Sequence, residues 1–292
     1  MPNLGLLFDV DGPLASPLTR SVIIPSILRD LVKLAGAGVP IAFITGRSDV
    51  FIADELVAPL FEKGMAGALE QGRSGMFGVF EKGGSWAPIT PDGMGEVVVD
   101  TSVAVPAPPV DALRQLVQDD FADVVFFDET KRAMVSVEQR KEVAPSVFHA
   151  AQARFDDAAF HIMVAHGLGI RHGERVHADG AGQVPFRIDP TIISTDIESV
   201  LLDKDRGAER ALTYLGGFAE LPRRWRTVGD SRSDYKMADH LHAAGYDVAH
   251  VDVRPSDGIL DRGYPVITIG DEIHDDAGAA LLAHWVRELG IR

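Results

Sequence analysis

The chain has 292 residues, of which 46% are apolar and 24% charged, and it contains no cysteine. That balance is typical of a globular chain, so disorder and collagen-like repeats are excluded, and without cysteine so are disulfides and thiolate chemistry. Asp and Glu number 43 against 28 Lys and Arg, a net charge of -15, which excludes the basic footprint of a nucleic-acid binder and any attraction to anionic lipid.

Leu4 to Phe8 is a short unbroken apolar run that ends at Asp9-Val10-Asp11-Gly12-Pro13. Such a run reads as a strand buried on both faces, closed by a Gly-Pro turn. Ser26 to Ala35 follows as an amphipathic helix stopped by Gly36 and Gly38. Val39 to Ile44 is a second buried strand, and Ser48 or Asp49 caps a helix reaching about Phe61. This is the βαβα order of a parallel sheet with helices on both faces. Gly64 to Gly84 is rich in glycine without phosphate-loop spacing, and turns are expected there.

The middle of the chain reads as α+β. Helices are expected over Val110 to Val117 and Ala144 to Ala153. Strands are expected over Val124 to Phe127, Ala133 to Val137, His161 to Ala165 and Phe186 to Ser194. The first pattern then returns. A helix covers Asp205 to Leu215, a strand Trp225 to Val228, a helix Tyr235 to Ala244, strands Tyr246 to Val251 and Pro265 to Ile269, and a last helix Ala277 to Leu289. Thr45 and Lys204 lie 159 positions apart, far more than one crossover of about 30 residues needs. An inserted domain at roughly 85–198 accounts for the excess, which leaves a discontinuous core of 1–84 and 199–292.

Four segments carry candidate chemistry. Asp9 and Asp11, two apart at a strand end, can converge on one site, one as nucleophile and one as general acid and base. The same residues also suit a plain turn. The Thr45 hydroxyl and the Gly46 N–H, followed by the cation of Arg47, could hold a phosphoryl oxygen, or simply close a strand. Lys204 opens a helix and could neutralise phosphate and nucleophile, with Arg206 as its rival. Gly229-Asp230-Ser231-Arg232-Ser233-Asp234 sets two carboxylates four apart after a strand, which suits either Mg²⁺ or a helix cap.

Taken in this order, these segments resemble the four motifs of the haloacid dehalogenase superfamily of phosphotransferases. The resemblance is carried by Asp9-Val10-Asp11-Gly12-Pro13-Leu14, by Thr45 in Ile44-Thr45-Gly46-Arg47, by Lys204 with Gly207-Ala208, and by Gly229-Asp230-Ser231 through Asp234. The insertion resembles the C2 cap of Cof-type and sucrose- or trehalose-phosphatase-like members, and Glu81-Lys82-Gly83-Gly84 sits where these carry a Glu-Asn-Gly-Ala turn. Three residues depart from the pattern: Pro13 for Thr, Lys82 for Asn, and Ser233 for Asn.

The resemblance implies an α/β protein with a Rossmann-like, doubly wound parallel core and an α+β cap that sets specificity. It implies a Mg²⁺-dependent phosphatase of a small-molecule phosphate ester, with a sugar phosphate favoured. Asp9 would attack phosphorus, Asp11 would serve as acid and base, and Thr45 and Lys204 would hold the phosphoryl group. Asp9, the Asp11 carbonyl and Asp230 would bind Mg²⁺, with Asp234 ligating or supporting. The rivals are a phosphomutase on the same core and a non-catalytic sugar-phosphate-binding protein. Nothing in the residues addresses oligomeric state.

His161, His166, His172 and His177 have no metal-site spacing, and Arg223, Arg224 and Arg226 read as a solvated lead into a strand. No stretch is long and apolar enough for a signal peptide or a membrane span, so a cytoplasmic protein with no membrane or nucleic-acid partner is expected.

Overall fold

The computed structural model describes residues 2–291. They form two compact units, residues 2–98 with 203–291, and residues 99–202. The first stretch holds β1 (Gly5–Phe8), α1 (Pro25–Gly36), β2 (Ile41–Ile44), α2 (Asp49–Ile52), α3 (Ala58–Glu62), α4 (Met65–Gly72), β3 (Met76–Phe80), β4 (Ser85–Thr90), β5 (Gly93–Met94) and β6 (Val98–Val99). The middle holds α5 (Ala107–Leu116), β7 (Val125–Phe127), β8 (Val135–Gln139), α6 (Pro145–Ala165), β9 (Ile170–His172), β10 (Arg175–His177), β11 (Phe186–Pro190) and β12 (Ser194–Ser199). The last stretch adds α7 (Lys204–Leu215), β13 (Arg224–Gly229), α8 (Tyr235–Ala243), β14 (Asp247–Asp252), β15 (Val266–Ile267) and α9 (His274–Glu288).

The sheet of the first unit runs β15-β14-β13-β1-β2-β3-β4-β5. Pairing is parallel from β15 to β3 and antiparallel at β4 and β5. Apolar residues cover both faces because helices cover both. Leu6, Phe8, Ile41 and Phe43 pack with α1, α4 and α9, whereas Leu7, Ala42, Ile44 and Val79 pack with α7 and α8. β1 has an early strand on one side and a late strand on the other, so strand order reverses there. In open parallel sheets the crevice at such a point, outside the carboxyl ends of the strands, is where ligands bind.

The second unit has a mixed sheet in the order β10-β9-β11-β12-β8-β7, with β9 parallel to β11. One face packs on α5 and α6 through Val135, Val137, Ile188 and Ile197 with Leu113, Phe148, Phe155 and Met163. The alternate positions of β8 and β12 are polar, and there the Ser136 hydroxyl donates to Asp196 at 2.7 Å. Arg187 on β11 grips Glu198 on β12 at 2.6 Å.

The structure differs from the sequence reading in four places. Gly64 to Gly84 is not a run of turns but contains α4 and the central strand β3. Its glycines serve close approach: a Cβ on Gly72 would meet the Ala35 carbonyl oxygen at 1.9 Å, and one on Gly78 would meet the Phe80 ring at 2.6 Å. His161 to Ala165 is the end of α6, whose buried Phe148, Ala151, Phe155, Ala159 and Met163 keep helical spacing. Phe186 to Ser194 is not one strand. The Thr191 hydroxyl accepts from the Ile193 and Ser194 N–H groups and turns β11 into β12. Finally, both edges of the insertion shift: residues 85–98, assigned to it by sequence, lie in the first unit, where Ser85 to Ile89 of β4 pair with β3, and residues 199–202, assigned to the core, lie in the second.

These glycine contacts make a paired prediction. Gly67→Ala, exposed in α4 with nothing near its absent Cβ, should stabilise the protein by about 0.5–1 kcal/mol. Gly72→Ala should instead cost about 1–3 kcal/mol by forcing α4 off Ala35. Urea unfolding of both variants measures the two signs, and equal signs would contradict the packing described.

Candidate active site

The site forms where β1, β2 and β13 end. Asp9 follows β1 and is almost wholly buried. Its Oδ1 accepts from the Val10 N–H at 2.8 Å and meets the Lys204 Nζ at 2.7 Å. Lys204 is the first residue of α7, held there by the Asp203 side chain, which accepts from its N–H. Its ammonium also lies 2.9 Å from Asp234 Oδ1 and donates to the Ile44 carbonyl at 2.7 Å. The ammonium thus lies within 2.9 Å of an oxygen from each of three strand ends. Gly207 lets α7 sit this close, since a Cβ there would lie 2.3 Å from Ile44 Cγ2. Arg206, the rival cation, packs its stem on Gly83 instead.

Asp234 is fully buried. Its Oδ2 accepts from the Asp230 N–H at 3.1 Å, the Ser231 N–H at 2.9 Å and the Ser231 hydroxyl at 2.8 Å. Both of its oxygens are therefore engaged, one by Lys204 and one by the loop. Gly229 explains why a glycine precedes Asp230: a Cβ there would fall 2.1 Å from the Asp234 Cβ. Gly12 is constrained twice, by φ of +90° and by Asp230, whose Cγ lies 2.7 Å from where its Cβ would be.

Thr45 is fully buried at the end of β2. Its N–H donates to Val79 and its carbonyl accepts from Lys82, while its hydroxyl oxygen accepts from the Arg47 N–H at 3.1 Å. Gly46 lies beneath the Lys82 side chain. Arg47 reaches across to Asp11, Nε to Oδ2 at 2.9 Å and Nη2 to Oδ1 at 3.1 Å. Glu81 and Lys82 both take positive φ, 52° and 54°, a backbone form that non-glycine residues rarely adopt. The Glu81 N–H donates to the Arg47 carbonyl, and its carboxylate accepts from the Ser85 hydroxyl, so this turn clasps the Thr45–Arg47 loop.

Charge in the cluster is unbalanced. Burial pushes the Asp9 carboxyl well above its ordinary range, and Asp234 and Asp11 add to this against Lys204. Burial and then Asp234 push Asp230 up to about 6, despite Arg254 and Lys204. Burial works the same way on Asp234, but Lys204 and the Ser231 hydroxyl prevail and hold it below its ordinary value. Burial alone would lower Lys204, yet Asp234 and Asp9 raise it. One ammonium thus serves Asp234 best and leaves Asp9 and Asp230 short of positive charge. Asp9, Asp230 and Asp234 each offer an oxygen within 4.8 Å of the others. Hard, anionic, closely spaced oxygens fit a divalent cation such as Mg²⁺. Among the described residues this is the one group of metal-binding side chains that converges so closely, and none of His161, His166, His172 and His177 joins it.

Three features escaped the sequence reading: the fork of Arg47 on Asp11, the strained Glu81 turn, and the wholly buried His250. Burial pushes His250 down to about 4, and its Nδ1 lies 2.8 Å from the Thr227 hydroxyl. A histidine inside the apolar strand Val248-Ala249-His250-Val251 was the available signal.

The pH dependence of stability follows. Asp230 rises from 3.8 to about 6 on folding, so its share of stability is full below pH 4 and is lost as pH climbs through 6. In chelator, Asp230→Asn should therefore gain on the wild type between about pH 4 and 6, and added Mg²⁺ should restore the wild type above that window. Thermal unfolding at stepped pH, with and without Mg²⁺, measures the difference. A difference that stays flat would mean that Asp230 does not ionise within a buried cluster.

No protein-family model matches the chain, and no curated protein matches it. Solved structures do. The C-terminal domain of C. albicans trehalose-6-phosphate phosphatase matches with a TM-score of 0.60 at 13% identity, over 99% of this chain and 92% of that one. A haloacid dehalogenase-like hydrolase from Bacteroides thetaiotaomicron matches with a TM-score of 0.58 at 12% identity, over 96% and 98%. The subclass IIB sugar phosphatase BT4131 matches with a TM-score of 0.54 at 16% identity, over 99% of each chain. Among the described residues, no helix is long and apolar enough to cross a membrane. With its mainly parallel core sheet and separate mixed sheet, the chain has the fold of the haloacid dehalogenase superfamily, subclass IIB, with a C2-type cap.

Proposed function

We propose that the protein is a Mg²⁺-dependent phosphatase of a small phosphorylated metabolite, with a sugar phosphate the favoured class, acting through an aspartyl-phosphate. The observation that carries this reading is the meeting of Asp9, Asp230 and Asp234 around one buried lysine at the switch point of the sheet. The trehalose-6-phosphate phosphatases and sugar phosphatase among the structural neighbours favour a sugar phosphate. The second unit, about residues 99–202, is the part assigned to substrate selection.

Asp9, Asp230 and the Asp11 backbone carbonyl would hold Mg²⁺, which supplies charge neutralisation where a dianion meets a carboxylate. Asp234 keeps the Asp230 loop in shape through its engaged oxygens. Both hydrogen-bond partners of Asp9 are on Oδ1, which leaves Oδ2 to attack phosphorus. As that bond forms, the ester P–O bond breaks and Asp11 gives its proton to the leaving oxygen. Asp11 then takes a proton from water, which attacks phosphorus and releases phosphate and Asp9. The Thr45 hydroxyl, the Gly46 N–H and Lys204 hold the phosphoryl oxygens through both steps, where preorganised donors do most of the work.

Asp9→Asn should abolish turnover and any covalent phosphoenzyme. Asp11→Asn should keep the nucleophile and lower turnover about 10²–10⁴-fold, less in the first step on a nitrophenyl phosphate, whose leaving group needs little protonation. A screen of phosphate esters with Mg²⁺, followed by rapid-quench trapping of the phosphoenzyme, tests both. Phosphoenzyme trapped on Asp9→Asn, or turnover undiminished in excess chelator, would overturn the assignment.

A further inference from the structure

Arg47 holds Asp11 with the fork of its guanidinium. Nε goes to one oxygen and Nη2 to the other, at 2.9 and 3.1 Å. Both Asp11 oxygens are thus turned toward Arg47, so the guanidinium competes with a leaving group for each of them. The same planar fork matches two oxygens of a phosphoryl group equally well.

The rest of the loop is built so that only the side chain need move. The Arg47 N–H is fixed to the Thr45 hydroxyl, and its carbonyl accepts from Glu81. Phe51 carries the guanidinium on its ring face, 4.7 Å from its centroid, a support that allows rotation without loss of contact. The pair is also partly open to solvent, Asp11 at 34% and Arg47 at 16%, so an arriving anion can reach it and offer the guanidinium an equivalent fork. The Lys204 pairs are buried on both sides.

We propose that Arg47 exchanges partners during binding: in the empty site it sequesters Asp11, and an arriving phosphoryl dianion takes the guanidinium and releases Asp11 to face the leaving oxygen. This rests on the phosphate-ester reading of the site. Arg47 is then both an anion ligand and the residue that couples anion binding to the freeing of Asp11. Asp11 and the ligand compete for one cation.

The test is a double-mutant cycle on binding, with inorganic phosphate as the probe and calorimetry in Mg²⁺ buffer as the readout. The four proteins are the wild type, Asp11→Asn, Arg47→Ala and the double variant. With Arg47 present, Asp11→Asn should tighten phosphate binding by about three- to thirtyfold, the range of coupling between contacting residues. With Arg47→Ala, the same substitution should change it little. An equal gain in both backgrounds would mean that Asp11 merely repels anions through space, and the exchange would be wrong. Wild-type binding that Asp11→Asn fails to tighten would reject it as well. Phosphate bound by none of the four proteins would reject the phosphate-ester reading and the exchange with it. Arg47→Met, which keeps an apolar stem over Phe51, repeats the cycle should the alanine loosen the loop.

Discussion

One ammonium group organises the first unit. The Nζ of Lys204 joins Asp9 after β1, the Ile44 carbonyl after β2 and Asp234 after β13. These are the three central strand ends of the sheet. A lysine buried this deeply survives as a cation only because two carboxylates and a carbonyl surround it. The carboxylates, in turn, sit this close only because the cation lies among them. Removing either partner would leave an uncompensated buried charge, so the position of α7 and the loops after β1 and β13 are set together.

The imbalance that remains has chemical meaning. A single positive charge cannot satisfy Asp9, Asp230 and Asp234 at once, and the deficit falls on Asp9 and Asp230. Asp234, whose oxygens are all committed, acts as the fixed wall behind them. A cation bound here would relieve that deficit, so binding and stability would be linked. The strained Glu81–Lys82 turn belongs to the same economy of form, since it pins the Thr45–Arg47 loop through two backbone hydrogen bonds.

Much of this was legible in the residues themselves. Buried parallel strands announce themselves as unbroken apolar runs, and the polar residue that ends each run marks the crevice, as at Asp9, Thr45 and Asp230. The excess length between Thr45 and Lys204 exposed the insertion. What could not be read was contact between distant parts. Gly72 and Gly78 look like turn residues, and only Ala35 and Phe80 show that they are packing residues. The fork of Arg47 on Asp11 could not be read either, because nothing local says that Asp11 lies opposite. The edge of the insertion was not legible because β4 alternates in burial and carries Pro88, so only its register with β3 places it.

The pairing of β1 has a consequence for how the molecule is made. Gly5 aligns with Trp225 and Phe8 with Val228, so the strand that carries Asp9 waits for nearly the whole chain before its second neighbour exists. At about 5–20 residues per second, a ribosome needs roughly ten to forty seconds to deliver that neighbour. Until then the nascent chain carries an apolar strand with one bare edge and an aspartate without its lysine. Such edges invite pairing with the wrong partner. The middle unit, continuous in sequence from Val99 to Leu202, emerges complete during that interval, before the strand that will close the edge of β1.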